Sequence, residues 1–216
     1  MERGEEMILE QYVVGMLQTN CYLLGDEEAR QAVVIDPGGD GARIAHRIGE
    51  LGLQLAAIIN THGHFDHIMD AWSLKELLGS EIYMHARDEP LLTDRMVGLG
   101  AVLAMGAGAP PRKIDRHVKE GDALSFGSIE FDVLETPGHT PGHVSLYMRR
   151  EGIIFVGDTL FSGSIGRTDF PGGSFDQLIH SVREKIFTLP GDTVVYTGHG
   201  PETTVEREKR TNPFFV

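Results

Sequence analysis

One segment constrains this chain more than any other: Asn60-Thr61-His62-Gly63-His64-Phe65-Asp66-His67, set directly after the short apolar run Leu55–Ile59. In an extended segment, residues two apart point the same way. His62 and His64 can therefore grip one metal ion, with Gly63 adding little bulk between them. A helix is predicted from about Asp66 to Leu78, with Ile68, Trp72 and Leu74 partly apolar and Gly79 after its end. The turn into that helix lets the adjacent Asp66 and His67 point to a second ion. Imidazole suits zinc or iron, and a carboxylate adds charge compensation.

Further donors fall at the ends of other predicted strands. His139 follows Ile129–Leu134, within Thr136-Pro137-Gly138-His139-Thr140-Pro141-Gly142-His143. Asp158 follows Ile153–Val156, and His199 follows Thr193–Tyr196 as Thr197-Gly198-His199-Gly200. Loops leaving one edge of packed sheets can meet, so ligands distant in sequence can share a site. Seven ligands exceed what one tetrahedral ion needs, whereas two ions sharing Asp158 would use them all. His143 reads as a group buttressing the His139 loop. His46, His85, His117 and His180 read as ordinary surface or core residues.

The rest of the chain alternates short apolar runs with Gly-rich turns, in keeping with its 27 glycines. Met7–Val14, Asn20–Leu24, Ala32–Ile35, Ile82–Met84, Ala123–Phe126 and Val144–Met148 are further strand candidates. Helices are expected over Ala42–Leu51, from Ala86, and over Phe175–Phe187. Two halves of this kind suggest two sheets packed face to face with helices outside, in a single domain over residues 1–216. Val97–Lys113, with its glycines and Pro110-Pro111, shows neither period and reads equally as a flap or a plain connector.

The formal net charge of −13 is a poor basis for binding nucleic acid or an anionic membrane, which call for basic patches. The compact basic stretch Arg207, Lys209 and Arg210 is interleaved with Glu206 and Glu208 and reads as a solvated terminal helix. The lone Cys21 rules out an internal disulfide and a Cys-rich zinc site, and its apolar surroundings point to the core. No apolar signal segment or membrane-length run is present, so a cytoplasmic protein is expected. The sequence carries no signal for an oligomeric state.

His62-x-His64-x-Asp66-His67, with His139, Asp158 and His199, resembles the metallo-β-lactamase superfamily along nearly the whole chain. The resemblance implies an α/β fold, the four-layer αββα sandwich. It implies first-metal ligands His62, His64 and His139, second-metal ligands Asp66, His67 and His199, and Asp158 as the bridge. Two divalent ions follow, zinc foremost, with iron or manganese also suited. His64 is not Glu, unlike the flavodiiron branch, and His67 is not Arg, unlike the commonest β-lactamases. Gly163–Phe170 and Glu184–Asp192 resemble glyoxalase II-like hydrolases and persulfide dioxygenases.

The expected reaction is hydrolysis of a hydroxyacyl-glutathione-like thioester, or a related anionic small molecule, by a metal-bridging hydroxide. Two ions bring about four positive charges and two aspartates with a hydroxide remove about three, leaving a locally positive centre. Asp66 is the expected catalytic group, orienting the hydroxide and taking its proton. Arg167 matches a basic residue that contacts glutathione in glyoxalase II; its plain reading is a surface ion pair with Asp169. Two departures stand out. Only 17 residues follow His199, so the C-terminal helical domain of full-length glyoxalase II is not expected. Gly200-Pro201 also replaces the tyrosine expected there. The first alternative is a persulfide dioxygenase with one iron on His62, His139 and Asp158. The second is a non-catalytic binding domain of the same fold.

Overall fold

The computed structural model describes residues 7–93 and 113–216. The Val97–Lys113 segment therefore lies outside the described residues except for Lys113. Among the described residues, two six-stranded sheets form the centre. The first runs in the order β1 (Ile8–Val14), β2 (Thr19–Asp26), β3 (Gln31–Ile35), β4 (Gln54–Ile59), β5 (Glu81–Met84) and β6 (Arg116–His117). It is antiparallel over β1–β3 and parallel from β3 onward. The second contains β7 (Ala123–Phe126), β8 (Ile129–Glu135), β9 (Val144–Met148), β10 (Ile153–Phe155), β13 (Val194–Tyr196) and β14 (Thr203–Thr204), in the order β14-β13-β10-β9-β8-β7. A two-stranded ribbon, β11 (Leu160–Phe161) with β12 (Ser164–Ile165), stands apart.

Strand alternation dictates the layering. Val33 and Ile35 of β3 and Ala57 and Ile59 of β4 pack into the cluster shared with Phe131, Val133, Leu146 and Phe155 of the second sheet. Their neighbours Ala32, Val34 and Ile58 point the other way, into a cluster with Ile44 and Ile48 of α1 (Gly41–Glu50) and Leu74 of α3 (Ala71–Leu78). On the far side, Tyr147, Ile154 and Val195 meet Leu178 of α4 (Phe175–Ser181) and Val182 and Ile186 beyond it. Strands buried on both faces read as continuous apolar runs, as β3 and β4 do. The result is the αββα sandwich: helix, sheet, sheet, helix, with three apolar layers between.

Local chemistry explains where elements break. The helix expected over Asp66–Leu78 is two, α2 (Phe65–Ile68) and α3, interrupted at Met69-Asp70. Asp70 leaves helical geometry, donates its N–H to Pro37 O at 2.9 Å, and accepts the Gly41 N–H at 2.7 Å. It thereby satisfies an orphan donor in the first turn of α1. The helix expected from Ala86 is a 3-10 segment, Ala86–Leu92, with Pro90 inside it. Phe175–Phe187 starts as α4 and widens into a π turn over Val182–Ile186. The terminal helix α5 (Val205–Thr211) is not wholly solvated. Glu208 is fully buried, accepting from Thr203 Oγ1, Asn212 Nδ2 and the Gly163 N–H.

Asp26 ties the two sheets at one end. Its carboxylate accepts the Ala29 N–H at 2.8 Å within the β2–β3 turn and the Ser128 N–H at 2.7 Å in the β7–β8 turn. Those backbone donors hold its pKa below the ordinary carboxylate value. Losing a hydrogen-bonded charge of this kind costs about 1.5–3 kcal/mol per bond, so Asp26→Ala should lower Tm measurably. A depressed carboxylate stabilises above its unfolded pKa and loses that contribution as pH falls through the folded value. In thermal melts, the gap between the native chain and Asp26→Asn should hold at neutral pH and shrink below about pH 4.

Candidate metal centre

Seven donor side chains converge where the strand ends of the two sheets meet. The Val144 N–H of β9 donates to Thr61 O at 2.9 Å, joining the His62 loop to the second sheet. The Asn20 N–H donates to Gly198 O at 2.7 Å, and Asn20 Nδ2 and Tyr22 OH both donate to Thr197 O. These bonds from β2 carry the His199 loop across to the first sheet.

Two clusters result. In the first, His64 Nδ1 lies 3.1 Å from His62 Nε2 and 2.8 Å from His139 Nε2. In the second, His199 Nε2 lies 3.4 Å from His67 Nε2 and 3.3 Å from Asp66 Oδ2. Within each trio the donor atoms lie within 4.8 Å of one another. Asp158 stands between them: Oδ1 is 3.3 Å from His67 Nε2, while Oδ2 is 3.6 Å from both His139 Nε2 and His199 Nε2.

The donors fit divalent metal. Asp158 Oδ1 is buried without a hydrogen-bond partner, with His67 Nε2 3.3 Å away. An orphaned buried carboxylate oxygen is costly unless a cation or donor meets it. Burial pushes His62 well below the ordinary histidine pKa, and the surrounding imidazoles push it further. Burial likewise brings His64 down to about 3. Both are neutral, as metal ligation requires. The carboxylates pull the other way. Burial disfavours charge on His67, yet Asp158, Asp36 and Asp66 outweigh it and raise its pKa. Burial also opposes ionised Asp66 and Asp158, but His67 and His199 together, joined by His139 for Asp158, outweigh it and hold both below the ordinary carboxylate pKa.

The outer partners set the inner geometry. The His139 Nδ1–H donates to Arg167 O at 2.7 Å, which aims Nε2 into the cluster. His62 Nδ1 sits 3.1 Å from Thr61 Oγ1. Asp36, which the sequence reading did not single out, holds His67 Nδ1 at 2.9 Å. Its carboxylate also accepts the Thr61 N–H and Oγ1–H, each at 2.7 Å, which ties the His62 loop to His67. A third acidic residue at a strand end was the available signal for it. His143 supports Asp158 as well as its own loop: its Nε2 accepts the Asp158 N–H at 3.1 Å and its ring stacks on His62.

The donors line a cavity of about 560 Å³. Its floor is His64, Asp66, His139, Asp158 and His199, and its walls are Leu17, Phe65, Phe161, Ile165 and Phe170. Arg167 stands at the wall with its guanidinium 3.8 Å from the Phe170 ring centre and two bonds of 2.7 Å to Asp169. The surface ion pair is thus formed, and the same arginine borders the cavity.

The family model for the metallo-beta-lactamase superfamily matches residues 14–199, and the chain belongs to that superfamily. It is 39% identical to hydroxyacylglutathione hydrolase GloC of Haemophilus influenzae, over 96% of this chain and 98% of that one. It is also 39% identical to human mitochondrial persulfide dioxygenase ETHE1, over 97% of this chain and 76% of that one. Among solved structures it superposes on the B3 metallo-beta-lactamase BLEG-1 with TM-score 0.88, at 36% identity over 97% of this chain and all of that one. It superposes on TTHA1623 in a di-iron-bound form with TM-score 0.82, at 39% identity over 95% of this chain and 99% of that one.

Metal removal checks the site directly. Stripping with a chelator and restoring ion at about 100 times its Kd should raise stability by about 2.7 kcal/mol per site, read as a rise in Tm. Elemental analysis should give two ions per chain, falling to about one in His199→Ala; an unchanged count in that variant would remove His199 from the site.

Proposed function

We propose that this chain is a metal-dependent thioester hydrolase acting on a hydroxyacyl-glutathione-like small molecule, in the manner its GloC relative's name describes. One observation carries the reading: a second donor cluster of Asp66, His67 and His199 stands beside the first and shares Asp158 with it. Two ions, zinc foremost with iron or manganese also suited, would be held by His62, His64 and His139 and by Asp66, His67 and His199, with Asp158 between. When bound, such ions supply a water of lowered pKa and Lewis acidity for developing negative charge.

The chain's own residues do the rest. Asp66 stays ionised on the cavity floor, where it can orient that water and accept its proton. Thr19 Oγ1 donates to Asp66 Oδ2 at 3.2 Å and limits its rotation. Phe65, Phe161, Ile165 and Phe170 give the cavity an apolar lining that would shed water once a substrate fills it. Arg167 offers a planar, permanently charged partner for a substrate carboxylate. His139 Nδ1 is bonded to the Arg167 carbonyl, so substrate binding and metal geometry share one loop. A cytoplasmic location and a single catalytic domain complete the proposal. No described helix is long and apolar enough to cross a membrane.

The persulfide dioxygenase reading, one iron on His62, His139 and Asp158, draws support from the ETHE1 relative. Turnover decides between the two. Under nitrogen, the metal-loaded protein should release free thiol from S-lactoylglutathione. Oxygen-dependent sulfite from glutathione persulfide, without thioesterase activity, would make the dioxygenase the correct reading. Inertness toward both, in a chain purified without metal, would leave a binding domain. For the hydrolase, Arg167→Ala should raise KM about 10-fold with kcat little changed, because a charge-assisted contact to a remote carboxylate contributes uniform binding.

A further inference from the structure

The metal-binding loops are joined by a residue that touches neither cluster. Asp88 lies in the 3-10 segment Ala86–Leu92 and is fully buried. Its Oδ2 accepts the Gly63 N–H at 2.9 Å and the Thr140 Oγ1–H at 2.6 Å. Its Oδ1 accepts the Gly142 N–H at 2.6 Å. Gly63 separates His62 from His64, and Thr140 and Gly142 follow His139. One carboxylate therefore holds the two loops that supply all three imidazoles of the first cluster. We propose that Asp88 is the positioning residue of that cluster, fixing the spacing of His62 and His64 against His139.

Three features require a carboxylate there. A buried charge is costly, so keeping one implies that its bonds are needed. An asparagine offers one acceptor oxygen and cannot serve three donors on two loops. The loops also close tightly on Asp88. A Cβ at Gly63 would lie 2.9 Å from the Asp88 carbonyl oxygen, and one at Gly142 would lie 2.7 Å from Asp88 Oδ1. The clamp is anchored in turn. The Asp88 N–H donates to His85 O, His85 Nδ1 accepts the Arg87 N–H, and His85 Nε2 sits 3.0 Å from Glu135 at the end of β8. Leu91 and Leu92 bury the segment's other side. Ligand atoms held 2.8 and 3.1 Å apart tolerate little loop drift.

The inference rests on the metal-centre reading, and the test separates the two. Zinc binding is measured by competition with a chromophoric chelator in two backgrounds: His199→Ala, which keeps the first cluster, and His64→Ala, which keeps the second. Far-UV circular dichroism verifies folding. Added to His199→Ala, Asp88→Ala should weaken zinc by about 10- to 100-fold, the usual effect of losing a ligand-orienting group. Added to His64→Ala, it should change affinity by less than about 2-fold. Thr140→Val removes one of the three bonds and should weaken only the first site, by about 2- to 10-fold, with Thr140→Ser restoring it. Unchanged first-site affinity, or equal weakening of both sites, would overturn the proposal. If Asp88→Ala does not fold, Thr140→Val decides by the same criterion. A parent chain that binds no zinc sinks the metal reading itself, whereas a two-ion parent indifferent to Asp88 sinks only this inference.

Discussion

Imidazole nitrogens crowd together in this molecule with no proton sufficient to satisfy them all. His62, His64 and His139 face one another in a buried pocket, and burial keeps His62 and His64 from charging. Beside them, Asp66 and Asp158 stay ionised against the same burial. Neutral imidazole lone pairs and ionised carboxylates gathered at this range form a donor set that suits cations shared among them. The rest of the structure serves that constraint. It places the groups accurately, and it withholds other partners from Asp158 Oδ1.

The two sheets meet that demand through their edges. Each donor leaves the end of a strand, and backbone bonds such as Val144 N–H to Thr61 O and Asn20 N–H to Gly198 O splice one sheet's loops to the other's. Rigid strands set position, and outer carboxylates and carbonyls set ring orientation. Asp36 does this for His67, the Arg167 carbonyl for His139, and Asp88 for the first cluster's two loops.

Much of this was legible in the sequence because its physics is local. Two-residue spacing put His62 and His64 on one side, and apolar runs marked the strands whose ends carry the other donors. Two strand-rich halves with helices suggested two sheets packed face to face, and the family resemblance implied the αββα layering. What was illegible depended on contacts distant in sequence. Asp36 showed no role in the sequence because its partners Thr61 and His67 lie across the sheet. Asp88 read as part of an unremarkable helix start. The break at Met69-Asp70 is set by Asp70's bond to Gly41, which no helical period reveals. Glu208 read as solvated because its alternating charges hide that Thr203, Asn212 and Gly163 enclose it.

Seven side chains gathered into one centre for two ions should leave a direct spectroscopic mark. X-ray absorption at the metal edge of the fully loaded protein tests it most directly. Nitrogen- and oxygen-dominated scattering with a metal neighbour at roughly 3.5–4 Å is expected. An isolated ion with no metal neighbour at saturation, or a first shell poor in imidazole, would contradict it.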